Sequence, residues 1–215
     1  KNLEWIYVID LNGDAIDDIV TYEINYDTNT QSEFLTKTQF YIVERGNIVK
    51  KECFTYENNI VVVPGKFIDN DRNAVVVVDV FDGEPNDKNA SYIYCKDDKI
   101  YKSELKGSDV VNGIDASVLS LDVSGDGISE LLALKEDGYD IYRVDKGQSL
   151  EHLVHGTSLT KDIYVFPNDF NGDGKTDILY YDSSQCWKMT FSDGRNFVDS
   201  KLCLNTTLLN SLYLN

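Results

Sequence analysis

Oxygen-bearing side chains recur in this chain at a spacing that suits a hard cation. Asp10, Asn12, Asp14 and Asp18 take positions 1, 3, 5 and 9 of one segment, with the Ile16 carbonyl at position 7. The same register gives Asp122, Ser124, Asp126 and Glu130 with the Ile128 carbonyl. It recurs as Asp169, Asn171, Asp173 and Asp177 with the Lys175 carbonyl. A tight turn makes alternate side chains converge, and calcium takes about 6–8 oxygen ligands of these kinds. The absence of His and Cys disfavours zinc and copper, and magnesium keeps more of its water. Gly13, Gly125 and Gly172 at position 4, with Gly127 and Gly174 at position 6, permit the left-handed backbone such a turn requires. Three calcium ions are therefore expected. An Asx-rich surface turn is the plain alternative for one loop. Three loops in one register favour the metal.

These loops are not EF-hands. An EF-hand needs a bidentate Glu at position 12, where this chain has Thr21, Ala133 and Tyr180. The acidic residue comes at position 9 and runs directly into an apolar strand, as in Asp18-Ile-Val and Asp177-Ile-Leu. A fourth related segment starts at Asp69. Asp69, Asp71 and Asn73 keep the first three alternate positions, but Val77 stands at position 9 and the turn has no glycine. That repeat is expected to keep the fold and lack the metal.

The elements that position the loops are short strands. Downstream of each acidic segment lies a strand–turn–strand signal, with turns at Glu44–Asn47, Lys96–Lys99, Asp145–Gln148 and Ser192–Arg195. No apolar pattern holds a helical period, except near Leu208–Leu214. Each repeat thus has a strand before the loop, one after it, and a hairpin. Four strands per repeat is the blade pattern of a β-propeller. The expected fold is all-β, a propeller or propeller segment of about four four-stranded blades. They run over 1–58, 59–111, 112–159 and 160–204, with a tail 205–215, in a single domain 1–215.

Composition narrows the function. The 215 residues carry 37 acidic and 20 basic side chains, for a net charge of −17. Such a surface repels phosphate backbones and anionic membranes, so nucleic acid is not an expected partner. No apolar run is long enough for a membrane-spanning helix. Cys53, Cys95, Cys186 and Cys203 form no CxxC pair. They are read as buried thiols on strands, or as one or two disulfides with Cys186–Cys203 the leading pair. His152 and His155, the only histidines, are read as solvated loop residues. The strand aromatics, Trp187 among them, are read as packing.

Asp-x-Asn-Gly-Asp-Gly-x-x-Asp followed by Ile-Leu, best seen over 169–179, resembles the FG-GAP/VCBS repeat of integrin α-chain propellers and bacterial surface and secreted proteins. It is also similar to VCBS blades of bacterial toxin-complex B components. The name-giving Phe-Gly and Gly-Ala-Pro motifs are absent. The resemblance implies a calcium-stabilised, non-enzymatic binding or adhesion module that is extracellular, secreted or on the cell surface. It implies a protein or carbohydrate ligand on the face opposite the calcium loops, built by Asp27–Leu35, Asp82–Ala90 and Gly107–Asp115. Further blades, or a second copy, would complete a ring. The competing expectation is an accessory or structural module of a larger secreted toxin or carbohydrate-active enzyme.

Overall fold

The computed structural model describes residues 3–26, 34–56, 59–68, 72–80, 90–107, 117–161, 163–181 and 186–205. Every regular element among them is a strand. β1 (Leu3–Ile9), β2 (Asp18–Tyr26), β3 (Phe34–Glu44) and β4 (Asn47–Tyr56) form one sheet in that order. β5 (Asn59–Gly65), β6 (Ala74–Val80), β7 (Ala90–Lys96) and β8 (Lys99–Leu105) form the second. β9 (Val118–Leu121), β10 (Glu130–Leu134), β11 (Tyr139–Asp145) and β12 (Ser149–Gly156) form the third. β13 (Tyr164–Asn168), β14 (Asp177–Tyr181), β15 (Cys186–Ser192) and β16 (Phe197–Asn205) form the fourth. Four successive antiparallel meanders make an all-β, propeller-like fold, and each sheet falls on one expected repeat.

Local sequence explains the elements. The Val75–Val78 run of β6 is buried, as a β-branched strand covered on both faces should be. Glu130–Leu134 is buried throughout. The β3–β4 and β7–β8 hairpins close through Arg45-Gly46 and Asp97-Asp98, all four at positive φ. That is the backbone of a two-residue turn whose twist matches the strands.

The chain divides into two compact units, residues 1–116 with 144–151, and 117–143 with 152–215. In the first unit Leu11, Val20, Phe40 and Ile42 pack with Ile60, Val62, Val75 and Ile93. In the second, Leu121, Val123, Leu132 and Ile141 pack with Ile178, Tyr180 and Phe197. Cys186 and Cys203 form a disulfide between β15 and β16, whereas Cys95 is a buried free thiol and Cys53 a half-buried one.

Strand register sets the loops. Ile9 pairs with Asp18, Gly65 with Ala74, Leu121 with Glu130 and Asn168 with Asp177. The connecting segments 10–17, 66–73, 122–129 and 169–176 are therefore equal in length and equivalent in place.

Asp79 on β6 is a half-buried carboxylate of the first unit. Burial pushes its pKa up to about 6, against a smaller opposing pull from Lys102. The folded pKa lies above the ordinary 3.8, so ionising Asp79 costs stability as pH rises through that interval. Asp79→Asn should raise stability by about 1–2 kcal/mol at pH 7.5 and leave it unchanged near pH 3.5, as read from denaturant midpoints.

Candidate functional site

The three acidic loops share one internal design. Asp10 Oδ1 accepts the Gly13 and Asp14 N–H groups at 2.8 and 3.2 Å, and its Oδ2 accepts that of Ala15 at 2.9 Å. Asp169 does the same for Gly172, Asp173 and Gly174, and Asp122 for Gly125 and Gly127. At position 5, Asp14, Asp126 and Asp173 each accept the N–H of position 7, at 2.8–2.9 Å. The expected left-handed turns are present at Gly13, Gly125, Gly127, Gly172 and Gly174. Position 6 of the first loop is Ala15, at φ 65°.

Position 9 has a role that spacing alone did not reveal. Asp18 is buried; Leu11 N–H donates to one of its oxygens and Val43 N–H to the other, both at 2.9 Å. Asp177 is buried and takes Phe170 and Ser192 N–H groups at 3.0 and 2.9 Å. Each carboxylate thus ties its loop to the third strand of its own sheet. Burial raises the Asp18 pKa, and the backbone hydrogen bonds oppose that rise. Glu130 keeps the first bond, from Val123 N–H at 2.9 Å, but gives its second oxygen to the Arg143 guanidinium at 2.5 Å.

Register corrects the reading of the second repeat. Lys66 stands at its position 1 and Ala74 at position 9, three residues out of step with the expected frame that began at Asp69. Asp69 and Asp71 lie outside the described residues. Asn73 falls just before β6 and donates from its amide to the Asp10 carbonyl at 2.7 Å. Thr176, just before β14, meets Asp122 in the same way, its N–H 2.7 Å from the Asp122 carbonyl. Position 2 is an apolar plug: Leu11 and Phe67 are 1% exposed and Val123 2%, whereas Phe170 is 39% exposed.

The donor set is all oxygen, of the kinds calcium takes. In loops 1 and 4 the carboxylates at positions 1 and 5 lie toward solvent, and a carboxylate holding N–H donors retains lone pairs for a cation. Asp10, Asn12, Asp14, Asp18 and the Ile16 carbonyl would hold it in loop 1. Asp169, Asn171, Asp173, Asp177 and the Lys175 carbonyl would do so in loop 4. Lys175 Nζ lies 2.5 Å from Asp173 Oδ2, on a half-buried stem. The hydrogen bonds lower the Asp173 pKa, the one from the Lys175 side chain foremost. Among the described residues, no three acidic, His or Cys side chains converge on one point. Side-chain rotation at the exposed positions would be needed. Loop 3 offers Asp122, Ser124, Asp126, Glu130 and the Ile128 carbonyl, but Arg143 reaches both Glu130 and Asp126, the latter at 3.5 Å.

Two clefts accompany these loops. In the second unit, Ser124, Asp126, Arg143, Leu153 and Arg195 line a cavity of about 530 Å³ beside loop 3. In the first unit, Arg72, Tyr92, Tyr94, Lys146 and Gln148 line one of about 310 Å³. Tyr92, Tyr94 and Tyr101 form a stacked series there, with centroids 5.4 and 5.5 Å apart. The segments expected to build a ligand face fall almost wholly outside the described residues.

The histidines are not free in solvent. His152 Nε2 and His155 Nδ1 each lie 3.0 Å from Asp140 Oδ1, while the Lys135 ammonium and Tyr142 hydroxyl meet Oδ2. Burial opposes ionisation of Asp140, but Lys135, His152 and His155 together hold its pKa well below the usual carboxylate range. Antiparallel placement of β11 beside β12 is the signal that would have paired them.

No family model matches the chain, and no curated protein does. Among solved structures, the fold is similar to that of a lectin from Agrocybe aegerita, described for its specific recognition of non-reducing terminal N-acetylglucosamine. The TM-score is 0.56 at 10% identity, over 91% of this chain and 64% of the lectin. The chain therefore spans just under two thirds of that lectin's length, and the likeness is one of fold.

Two substitutions separate clamp from turn. Asp177→Ala strands the buried Ser192 N–H and frees the part-buried Phe170 N–H, and should cost about 2–3 kcal/mol of unfolding free energy. Ala15→Gly relieves a left-handed alanine and should stabilise by about 0.5–1 kcal/mol, both measured by urea titration in EDTA.

Proposed function

We propose that this chain is a non-enzymatic binding module whose sheet-initiating loops 1 and 4 are pinned by calcium, and that its ligand is a glycan. The observation that carries the calcium reading is the repeated cage, with the same N–H pattern on positions 1 and 5 above the same buried position 9. It supports the FG-GAP/VCBS resemblance read from the sequence. Bound calcium would neutralise clustered carboxylates and fix the turn. Without it, mutual repulsion among Asp10, Asp14 and Asp18, or among Asp169, Asp173 and Asp177, loosens the first hairpin.

The glycan reading draws support from the fold it shares with the lectin and from the tyrosine-lined cleft of the first unit. Aromatic faces with Arg, Lys and Gln beside them suit a sugar ring and its hydroxyls. The disulfide fits an extracellular, secreted or cell-surface location.

A second reading, that the chain is an accessory or structural part of a larger secreted toxin or carbohydrate-active enzyme, is favoured by its exposed apolar side chains. Tyr164, Phe166 and Phe170 are exposed on the fourth sheet, and Ile6 and Val8 on the first. Further blades or a second copy would cover them. In the first and third repeats the position-2 residue is buried in a core with the following sheet. Phe170, with the same chemistry, is 39% exposed.

Calcium at about 100 times its Kd should stabilise the protein by about 2.7 kcal/mol per site. Differential scanning fluorimetry in calcium against EDTA should then show a Tm rise of about 10–20 °C for the two sites together. Equal Tm values would count against the metal. Glycan-array binding without turnover of the bound sugar supports the binding module, and hydrolysis by the purified chain favours an enzyme.

A further inference from the structure

The third acidic loop departs from the other two in three linked ways. Position 9 is Glu130 rather than Asp, position 3 is Ser124 rather than Asn, and an arginine from the third strand of the sheet enters the loop. In loops 1 and 4 the second oxygen of position 9 accepts a backbone N–H, from Val43 or Ser192. In loop 3 the longer Glu130 side chain instead turns that oxygen toward Arg143 Nη2 at 2.5 Å. The same nitrogen lies 3.5 Å from Asp126 Oδ2 at position 5. Register places Arg143 level with Glu130, as Ile42 is level with Asp18 and Phe191 with Asp177, since Leu131 pairs with Tyr142, Ile19 with Tyr41 and Ile178 with Thr190. Only the third loop therefore has a cation at that place.

Position 3 also changes its work. Asn12 and Asn171 each accept the N–H of position 5, at 3.1 and 2.8 Å, and so stand inside the turn as oxygen donors. The Ser124 hydroxyl instead faces Asp122 Oδ1 at 3.5 Å. Gly125 sits close under the Lys175 stem, where an added Cβ would lie 2.9 Å from Lys175 Cγ.

We infer that loop 3 takes no calcium and that the Arg143 guanidinium is its permanent counter-ion. This rests on the calcium reading of loops 1 and 4. Glu130 is 1% exposed, so its charge needs a partner that folds with it. A guanidinium on Glu130 and Asp126 occupies two of the carboxylates that calcium would require, and its positive charge repels a second cation. Lys175 in loop 4 does not have this standing. Its ammonium hydrogen-bonds to Asp173, and the buried Asp177 already holds two backbone N–H donors.

Calcium stoichiometry tests this, measured by calorimetric titration of EDTA-stripped, dialysed full chain. Two ions are expected for the unaltered protein, one each for Asp14→Asn and Asp173→Asn, and still two for Asp126→Asn. Arg143→Gln is expected to bind three, with the third lost again in Arg143→Gln/Asp126→Asn. Circular dichroism checks folding of each variant, and the exposed Asp126→Asn remains informative even where Arg143→Gln fails to fold. Three ions in the unaltered protein, falling to two in Asp126→Asn, would overturn the inference and leave the calcium reading standing. A folded Arg143→Gln protein that still binds two would overturn the role of Arg143. No calcium bound at all would sink both together.

Discussion

The buried carboxylate at the start of the second strand in the first, third and fourth sheets is the constraint from which the loop architecture follows. A carboxylate removed from water must find hydrogen-bond donors or a cation, because an unpartnered buried charge costs several kcal/mol. Asp18 and Asp177 find two backbone N–H groups each, one from position 2 of the loop and one from the third strand. Those two bonds set where the loop lies relative to the sheet. Position 2 is thereby held still, and in repeats 1 and 3 its apolar side chain is buried in the core. Charge satisfaction and hydrophobic packing are thus joined at one residue.

The four equivalent loops handle their charge in different ways. Loops 1 and 4 keep acidic groups at positions 1 and 5 facing water, an arrangement that invites a divalent ion. Loop 3 brings Arg143 in from its own sheet. The second repeat avoids the problem, with Lys66 at position 1 and Ala74 at position 9. Its remaining task is mechanical, as Asn73 holds the Asp10 carbonyl of the first repeat. Thr176 holds Asp122 in the second unit in the same manner. Loop spacing is the same in all four, as the strand register requires.

Much of this was legible in the residues. The repeat, the four strands per repeat and the hairpin turns follow from alternation and Gly/Asp/Asn punctuation, which are local signals. The loop turns were legible because glycine sits at position 4, and in loops 3 and 4 at position 6, where the backbone is left-handed. Three things were not. Position 9 reads as a ligand in a motif, yet its partners Val43 and Ser192 are distant in sequence and offer only backbone. The frame of the second repeat was misplaced because Asp69, Asp71 and Asn73 imitate a spacing that only strand register can deny. Arg143 and the Asp140–His152–His155 cluster depend on which residues face each other across strands, and that information is non-local.

The direct test is a calcium titration followed amide by amide in a two-dimensional NMR spectrum. Resonances of residues 10–18 and 169–177 should shift and gain exchange protection, while those of 66–74 and 122–130 stay in place. Loop amides that are indifferent to calcium throughout, or a response concentrated in 122–130, would contradict this division of roles among the four loops.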